Sequence, residues 1–347
     1  MTEFEAILRR HAASYPNMEP RDAVKLCYQA EFGGEHLICA EADLLPRLRE
    51  EWYTAPANRP LTEPAGEEIL RVHLGPAREA GLSAELVNRM FVRSGSMRQG
   101  SLDGLEKRLT CLRSCADSFA FSAGELEEFL RAYRSAGCPA LHHSEHYRVT
   151  YRPAYRLIAG VYGLLLPALA RIETLRLTRE RVVVALDGNC GGGKTTLAEA
   201  LASLYDAPVI HMDDFFLPPE LRSEERRRSA NIHYERFAAE VLAPLSAGVP
   251  FDYRLFSCRL GRYDGTAHVE QSPLTVVEGT YSCHPLMGRD YDLRIFVETG
   301  RTEQELRIRL RNGEDGWLRF REEWIPLENQ YFAQHQIRAH ADLVIRT

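Results

Sequence analysis

The residues that could do chemistry lie mostly between positions 188 and 321. Gly188-Asn189-Cys190-Gly191-Gly192-Gly193-Lys194-Thr195, continued by Thr196, fits the spacing G-x-x-x-x-G-K-[ST]. Glycines let a backbone wrap a triphosphate with its N–H groups turned inward, and a following helix adds the positive end of its dipole. In that arrangement Lys194 reaches the β/γ phosphates and the Thr195 hydroxyl ligates Mg²⁺, so the stretch predicts binding of ATP or GTP. Lys194 is one of three lysines, with Lys25 and Lys107, among 43 basic residues. Arginine has taken the other cationic positions, and one that keeps lysine suits a compact ammonium.

Acids follow at two places. His211-Met-Asp213-Asp214-Phe215-Phe216 closes an apolar run and sets two carboxylates at its carboxyl end, where open α/β sheets bind ligands. Transfer of a phosphoryl group to a hydroxyl needs a carboxylate to orient that hydroxyl or take its proton, which makes Asp213 the candidate base. A turn or helix cap is the plainer use of such a pair. Leu274-Thr-Val-Val-Glu278 delivers a third acid suited to a Mg²⁺ site opposite Thr195, or to a strand-terminal salt bridge. Arg307, Arg309 and Arg311, then Asn-Gly-Glu-Asp-Gly, then Arg319 and Arg321 suggest two helical arms around a tip. They would form a lid that closes on phosphates or, more simply, a solvated helix.

Elements of two kinds would carry these groups. From Arg181 onward, short β-branched runs at 182–186 (VVVAL), 208–212 (PVIHM), 274–277 (LTVV), 293–297 (LRIFV) and 342–345 (DLVI) alternate with helical stretches, the pattern of βαβ units around a parallel sheet. Leu197, Leu201 and Leu204 give the helix after the glycine loop a buried face. The first 172 residues read as helical, with stripes at Phe4, Ile7, Leu8 and His11, at Leu44, Leu45, Leu48 and Trp52, and at Leu86, Val87, Met90 and Phe91. Leu105, Leu109 and Leu112 form a further stripe, and Ser122-Ala-Gly-Glu125 is a capping box. Breaks at 54–66, 95–104 and 136–141 separate these segments, and strand signals are nearly absent. The expected organisation is a helical domain over 1–172, a linker over 173–180, and an α/β domain of parallel sheet and helices over 181–347.

Composition narrows the class. A chain of 347 residues with 45% hydrophobic and 27% charged content suits two packed cores and argues against disorder or coiled coil. A net charge of -6 gives no basic field for nucleic acid. The longest apolar stretch, 157–172, contains Pro167 and Arg171 and is too short to span a bilayer. The first residues show no signal core, which points to a cytoplasmic protein without membrane partners; a homo-oligomer is compatible with the sequence. Eight scattered cysteines read as reduced thiols, with Cys111 and Cys115 the one close pair.

GNCGGGKTT, HMDDFF, VVEG, the Arg-rich stretch and the closing DLVI together resemble the uridine kinase, phosphoribulokinase and pantothenate kinase group of P-loop kinases, over about residues 180–347. The resemblance implies a P-loop NTPase fold, ATP and Mg²⁺ as cofactors, and phosphorylation of a hydroxyl on a small molecule, most nearly a nucleoside. It implies Asp213 as catalytic base, Glu278 as a Mg²⁺-associated acid, and Arg307 and Arg311 as lid arginines. Asp214, His233, Tyr253 and Tyr281 are the candidate acceptor contacts. His233 stands where uridine kinases place an Asp that grips the ribose, and Cys258 falls near the position of a base-reading His. The rival reading is a nucleotide-dependent binding module, in which ATP orders the lid and the helical domain holds a partner or RNA.

The N-terminal half resembles no family. Phe32-Gly-Gly-Glu35-His36 and His142-His143-Ser-Glu145-His146 would suit a metal if His142 and His146 shared a helix face, and suit caps and structural histidines otherwise. Arg148, Arg152 and Arg156, interleaved with Tyr147, Tyr151 and Tyr155, would face phosphate or RNA, or form an amphipathic surface helix.

Overall fold

A computed structural model of the chain describes residues 1–34, 41–97, 99–224, 226, 231–287 and 291–347, with the backbone alone for 41–43. The chain divides into two compact units, Met1–Gly163 and Leu164–Thr347.

In the first unit, helices α1 (Glu3–Ser14), α2 (Pro20–Phe32), α3 (Glu41–Thr54), α4 (Leu74–Glu79), α5 (Ala84–Ser96), α6 (Leu102–Ser114), α7 (Ala123–Ser135) and α8 (Glu145–Tyr151) surround a small antiparallel sheet. That sheet pairs β1 (Thr62–Gly66), β2 (Ile69–His73) and β3 (Tyr155–Ala159) in the order β1-β2-β3. The predicted stripes do face a core, as Leu8, Leu105, Leu109 and Leu112 are all fully buried. Ser122 caps α7 in a capping box with Glu125. The three strands depart from the nearly all-helical expectation. Their inward positions include Glu63, Arg71 and His73, all buried, so the apolar alternation that marks a half-buried strand is missing. The apolar stretch 157–172 is shared between β3 and helix α9 (Gly160–Arg176). Among the described residues no helix is long and apolar enough to cross a membrane.

The second unit holds the five runs seen in the sequence as one parallel sheet: β4 (Val182–Gly188), β5 (Val209–His211), β8 (Leu274–Glu278), β9 (Leu293–Glu298) and β10 (Leu343–Arg346), in the order β10-β9-β4-β8-β5. The chain leaves β4 for β5, returns to β8 between them, then crosses to β9 on the other side of β4. That reversal opens a crevice at the carboxyl end of β4. Helix α10 (Lys194–Tyr205) follows the glycine loop. An antiparallel hairpin, β6 (Phe251–Ser257) with β7 (Arg262–Val269), stands apart from the main sheet. Before it run α11 (Tyr234–Phe237) and α12 (Ala243–Ala247). The Arg-rich stretch is α13 (Arg301–Arg319), kinked at Gly313 where φ is 70°, and it continues through a widened turn into α14 (Ile325–His335).

Candidate active site

Strand register sets the site. Glu278 pairs with Leu186 of β4 and with His211 of β5, so the ends of three strands converge on one carboxylate. Glu278 is buried, and its Oε1 accepts from the Thr195 hydroxyl at 3.1 Å and from His211 Nδ1 at 2.6 Å. The hydrogen bond to Glu278 raises the pKa of His211. Asp213 follows on a short 3-10 turn, Met212–Phe215. Its side chain is open to the cleft, yet the protein packed around it and then the Glu278 charge raise its pKa, while Lys194, His211 and Arg311 pull the other way.

The glycine loop is held tightly. Gly188 has φ 136°, and a Cβ there would lie 2.1 Å from the Val297 carbonyl oxygen, so no other residue fits. Gly193, at φ 80°, is the left-handed residue that starts α10. Lys194 is buried and its Nζ donates to the Gly188 and Asn189 carbonyls, both at 2.9 Å, and to Thr280 Oγ1 at 3.0 Å. Cys190, Gly191, Gly192 and Thr196 complete the loop and the first turn of α10; Thr195 and Thr196 are exposed toward solvent.

Three groups that sequence reading missed fix this loop. Asp187 is fully buried, and its carboxylate accepts from Gly188 N (2.7 Å), Tyr281 N (3.2 Å), Cys283 N (2.9 Å) and the Tyr331 hydroxyl (2.6 Å). Glu328 of α14, also buried, accepts from Cys190 N at 3.0 Å and Thr280 Oγ1 at 3.2 Å. Burial raises the pKa of both carboxyls. Gln304 of α13 donates to the Cys190 carbonyl at 3.0 Å. The one sequence signal for Asp187 was its place just before Gly188. Nothing local marks Glu328, which is 138 residues from its partner.

The arginines occupy different positions. Arg307 Nη1 reaches the Gly191 carbonyl at 3.4 Å and Thr347 Oγ1 at 3.1 Å, and its Nε pairs with Glu303 at 2.7 Å. Arg311 is exposed, bonds Asn312 Oδ1 at 2.8 Å, and lies over the Phe320 ring. Arg309 is taken up by Glu305 and Glu314.

The acceptor candidates also separate. Tyr253, on β6, stacks on Phe215 at 5.4 Å beside Asp214. Arg236 ties this corner together, donating to the carbonyls of Asp214 and, at 2.6 Å, Arg254. Cys258 lies by the Asp213 backbone carbonyl, 3.9 Å away. His233 caps α11, its Nδ1 accepting from Arg236 N at 3.3 Å. Tyr281 is buried behind the loop, against Tyr331. Sequence reading did not predict the hairpin that carries Tyr253.

In the first unit the polar clusters resolve differently from a shared helix face. α8 starts at Glu145, capped by Ser144, so His142 lies outside it and is exposed, as is His146. His143 is buried, with Nδ1 2.9 Å from Asp22 and Nε2 2.8 Å from the Tyr155 hydroxyl. Glu35 and His36 lie outside the described residues. The Arg/Tyr interleave is not one helix either, because α8 stops at Tyr151 and Tyr155 and Arg156 belong to β3. Among the described residues no cluster of three or more His, Cys, Asp or Glu could hold a metal ion.

The second unit has the arrangement of a P-loop fold: a parallel sheet flanked by helices, with a glycine loop between β4 and α10. No family model matches the chain, and no curated protein matches it. Solved structures do. A candidate uridine kinase from Bacillus stearothermophilus is similar at 18% identity and a TM-score of 0.39, covering 50% of this chain and 97% of that one. A candidate fructose transport system kinase from a Silicibacter species is similar at 25% identity and a TM-score of 0.41, covering 51% and 97%. Shikimate kinase from Bacteroides thetaiotaomicron is similar at 16% identity and a TM-score of 0.25, covering 48% and 85%. The N-terminal half is unmatched in these structures.

Proposed function

We propose that the chain is an ATP-dependent phosphotransferase that moves the γ-phosphate to a hydroxyl of a small molecule, with a nucleoside as the leading acceptor. The observation that carries this reading is the convergence of Asp213, Glu278, Thr195 and Lys194 at one end of the parallel sheet. A simple nucleotide switch needs no carboxylate with a raised pKa facing the phosphate loop.

In the reaction the bond between the γ-phosphorus and the β–γ bridging oxygen breaks, and a bond from that phosphorus to the acceptor oxygen forms. Asp213 orients the acceptor hydroxyl and takes its proton, a task eased by a pKa above the usual carboxylate range. Loop N–H groups and Lys194 bind the triphosphate, Lys194 exchanging its carbonyl partners for phosphate oxygens. The Thr195 hydroxyl and the Glu278 carboxylate are hard oxygen donors 3.1 Å apart, a set that fits Mg²⁺ completed by phosphates and water. Mg²⁺ there would neutralise charge on the β- and γ-phosphates. Arg311, close enough for its charge to act on Asp213, would offset charge on the transferring group. Arg307 would work through the loop backbone it holds at Gly191. Asp214 and Tyr253 would form the acceptor wall.

The test is ADP release with Mg-ATP across a panel of nucleosides, sugar alcohols and pantothenate-like alcohols, with Lys194→Ala and Asp213→Asn alongside. Acceptor-dependent turnover lost in both variants is expected. Slow ADP release indifferent to acceptor and to Asp213 would replace this reading with a nucleotide switch.

A further inference from the structure

The first unit contains a polar constellation that phosphoryl transfer does not use. It begins at Arg71, which is 1% exposed in the middle of β2. Arg71 Nη2 donates to Gln29 Oε1 at 2.8 Å, and Gln29 Nε2 donates to the Tyr155 hydroxyl at 3.0 Å. Tyr155 in turn donates to His143 Nε2, and His143 Nδ1 donates to Asp22, which also accepts from Ser144 N and Oγ. On its other side Arg71 faces Glu63, the acceptor of the Tyr15 hydroxyl at 3.1 Å. Burying this many polar groups rarely adds stability over an apolar core. What such a network does provide is side chains locked in place.

Two of the locked side chains, Tyr15 and Tyr155, are walls of a small cavity, enclosing about 10 Å³, whose other lining residues include His73, Tyr151, Arg59 and Arg152. The enclosed part has room for about one oxygen-sized atom, with the rest of a ligand held at the mouth. His73 is 5% exposed, and its Nε2 has no hydrogen-bond partner; the nearest acid oxygen, of Glu63, is 3.8 Å away. Arg59 holds its guanidinium over the Tyr15 ring at 5.3 Å and the Tyr151 ring at 5.9 Å, and it donates to the Tyr151 carbonyl at 3.1 Å. Arg152 is exposed, takes the left-handed conformation at φ 45° just before Pro153, and pairs with no carboxylate among the described residues. Among the described residues no acid is part of the cavity wall, and Glu63 lies behind it, against Tyr15 and His73.

We propose that this cavity is a second ligand site, which takes the phosphate group of a small phosphorylated molecule. Two guanidiniums and an imidazole line this one cavity, and a phosphate dianion has more acceptor oxygens and more charge to share among them than a carboxylate. The tyrosine rings among the lining residues offer apolar surface to the organic part of the ligand. The site lies wholly within Met1–Gly163 and stands whether or not the second unit transfers phosphate.

The test is calorimetric titration of the full chain carrying Lys194→Ala, which weakens the glycine loop as a competing phosphate site. Ribose 5-phosphate, inorganic phosphate and acetate serve as probes, with Arg59→Gln and Arg152→Gln added singly in the same background. Saturable binding of ribose 5-phosphate at one site per chain, displaced by inorganic phosphate and not by acetate, is expected. Either substitution should weaken it by about tenfold or more. Arg152 is exposed, so Arg152→Gln should keep the parent melting temperature and report binding alone. Binding that both arginine variants leave unchanged, acetate displacing as well as phosphate, or no saturable binding would each overturn the proposal.

Discussion

The two units spend their charges in opposite ways. In the first, Arg71, Glu63, Asp22 and His143 lie inside the packing, each 8% exposed or less and each hydrogen-bonded to a neighbour. In the second, Asp213, Thr195 and Arg311 sit at the open end of a parallel sheet, backed by the buried carboxylates Asp187, Glu278 and Glu328. A charge closed into a core acts chiefly on stability, because removing one partner strands the other in low dielectric. A charge facing a crevice acts chiefly on what enters it. The same residue types therefore predict different phenotypes in the two halves.

Asp213→Asn gives the sharpest separation. Acceptor-dependent turnover should fall by about 10²- to 10⁴-fold with little change in melting temperature, measured by ADP release and calorimetry. An equal loss of stability would erase the contrast. In the first unit, Arg71→Ala should destabilise by about 3–5 kcal/mol by stranding Glu63, read by denaturant unfolding. Pairing it with Glu63→Gln should recover part of that loss.

Acid should also part the units. Burial, aided by the Arg71 charge, lowers the pKa of His11 to about 4, and burial lowers that of His143 to about 4. An unfolded histidine titrates near 6.5, so between those values the unfolded chain binds more protons and folding weakens as pH falls. Each histidine contributes a loss of roughly 3 kcal/mol, complete below about pH 4. Limited proteolysis from pH 7 to 4 should cut the first unit before the second. In the second unit the raised pKa of Asp213 places the acid limb of turnover above the ordinary aspartate range. Because the Glu278 charge contributes to that rise, Glu278→Gln should move the limb to lower pH in the activity that remains.

Smaller effects refine the picture. Glu328→Ala leaves the Cys190 N–H without its acceptor, while Thr280 keeps the Gly188 carbonyl, and should raise the KM for ATP by an amount equivalent to about 1–3 kcal/mol. Glu328→Gln, which keeps an acceptor oxygen, should restore most of it. Ser122→Ala, which lines neither site, should cost about 1 kcal/mol through its lost capping box.

Much of this was readable in order along the chain. All five strands of the parallel sheet coincide with short β-branched runs, and the central β4 and β8, buried along almost their whole length, are apolar nearly throughout as strands covered on both faces are. The glycine loop, its lysine and the acid at the end of β8 were legible because chemistry demands those types at fixed spacing. The small sheet of the first unit was not legible, because Glu63, Arg71 and His73 occupy its inward positions. The β6–β7 hairpin was not legible either. Its strands carry Asp252, Arg254, Arg262 and Asp264, and exposed positions outnumber buried ones in β7.

By itself the sequence determined a glycine-rich loop between a strand and a helix, an α/β half, and a helix-rich half of different character. Those are local properties, set by residue type and by periods of two and 3.6 along the chain. Only the tertiary structure decided that Glu328 would hold the loop at Cys190, that Arg236 would brace the turn bearing Asp213 and Asp214, and that Tyr15, His73 and Tyr155 would meet around one cavity. Each of those meetings joins residues far apart in sequence. They depend on strand register and helix packing, which no single stretch of the chain encodes.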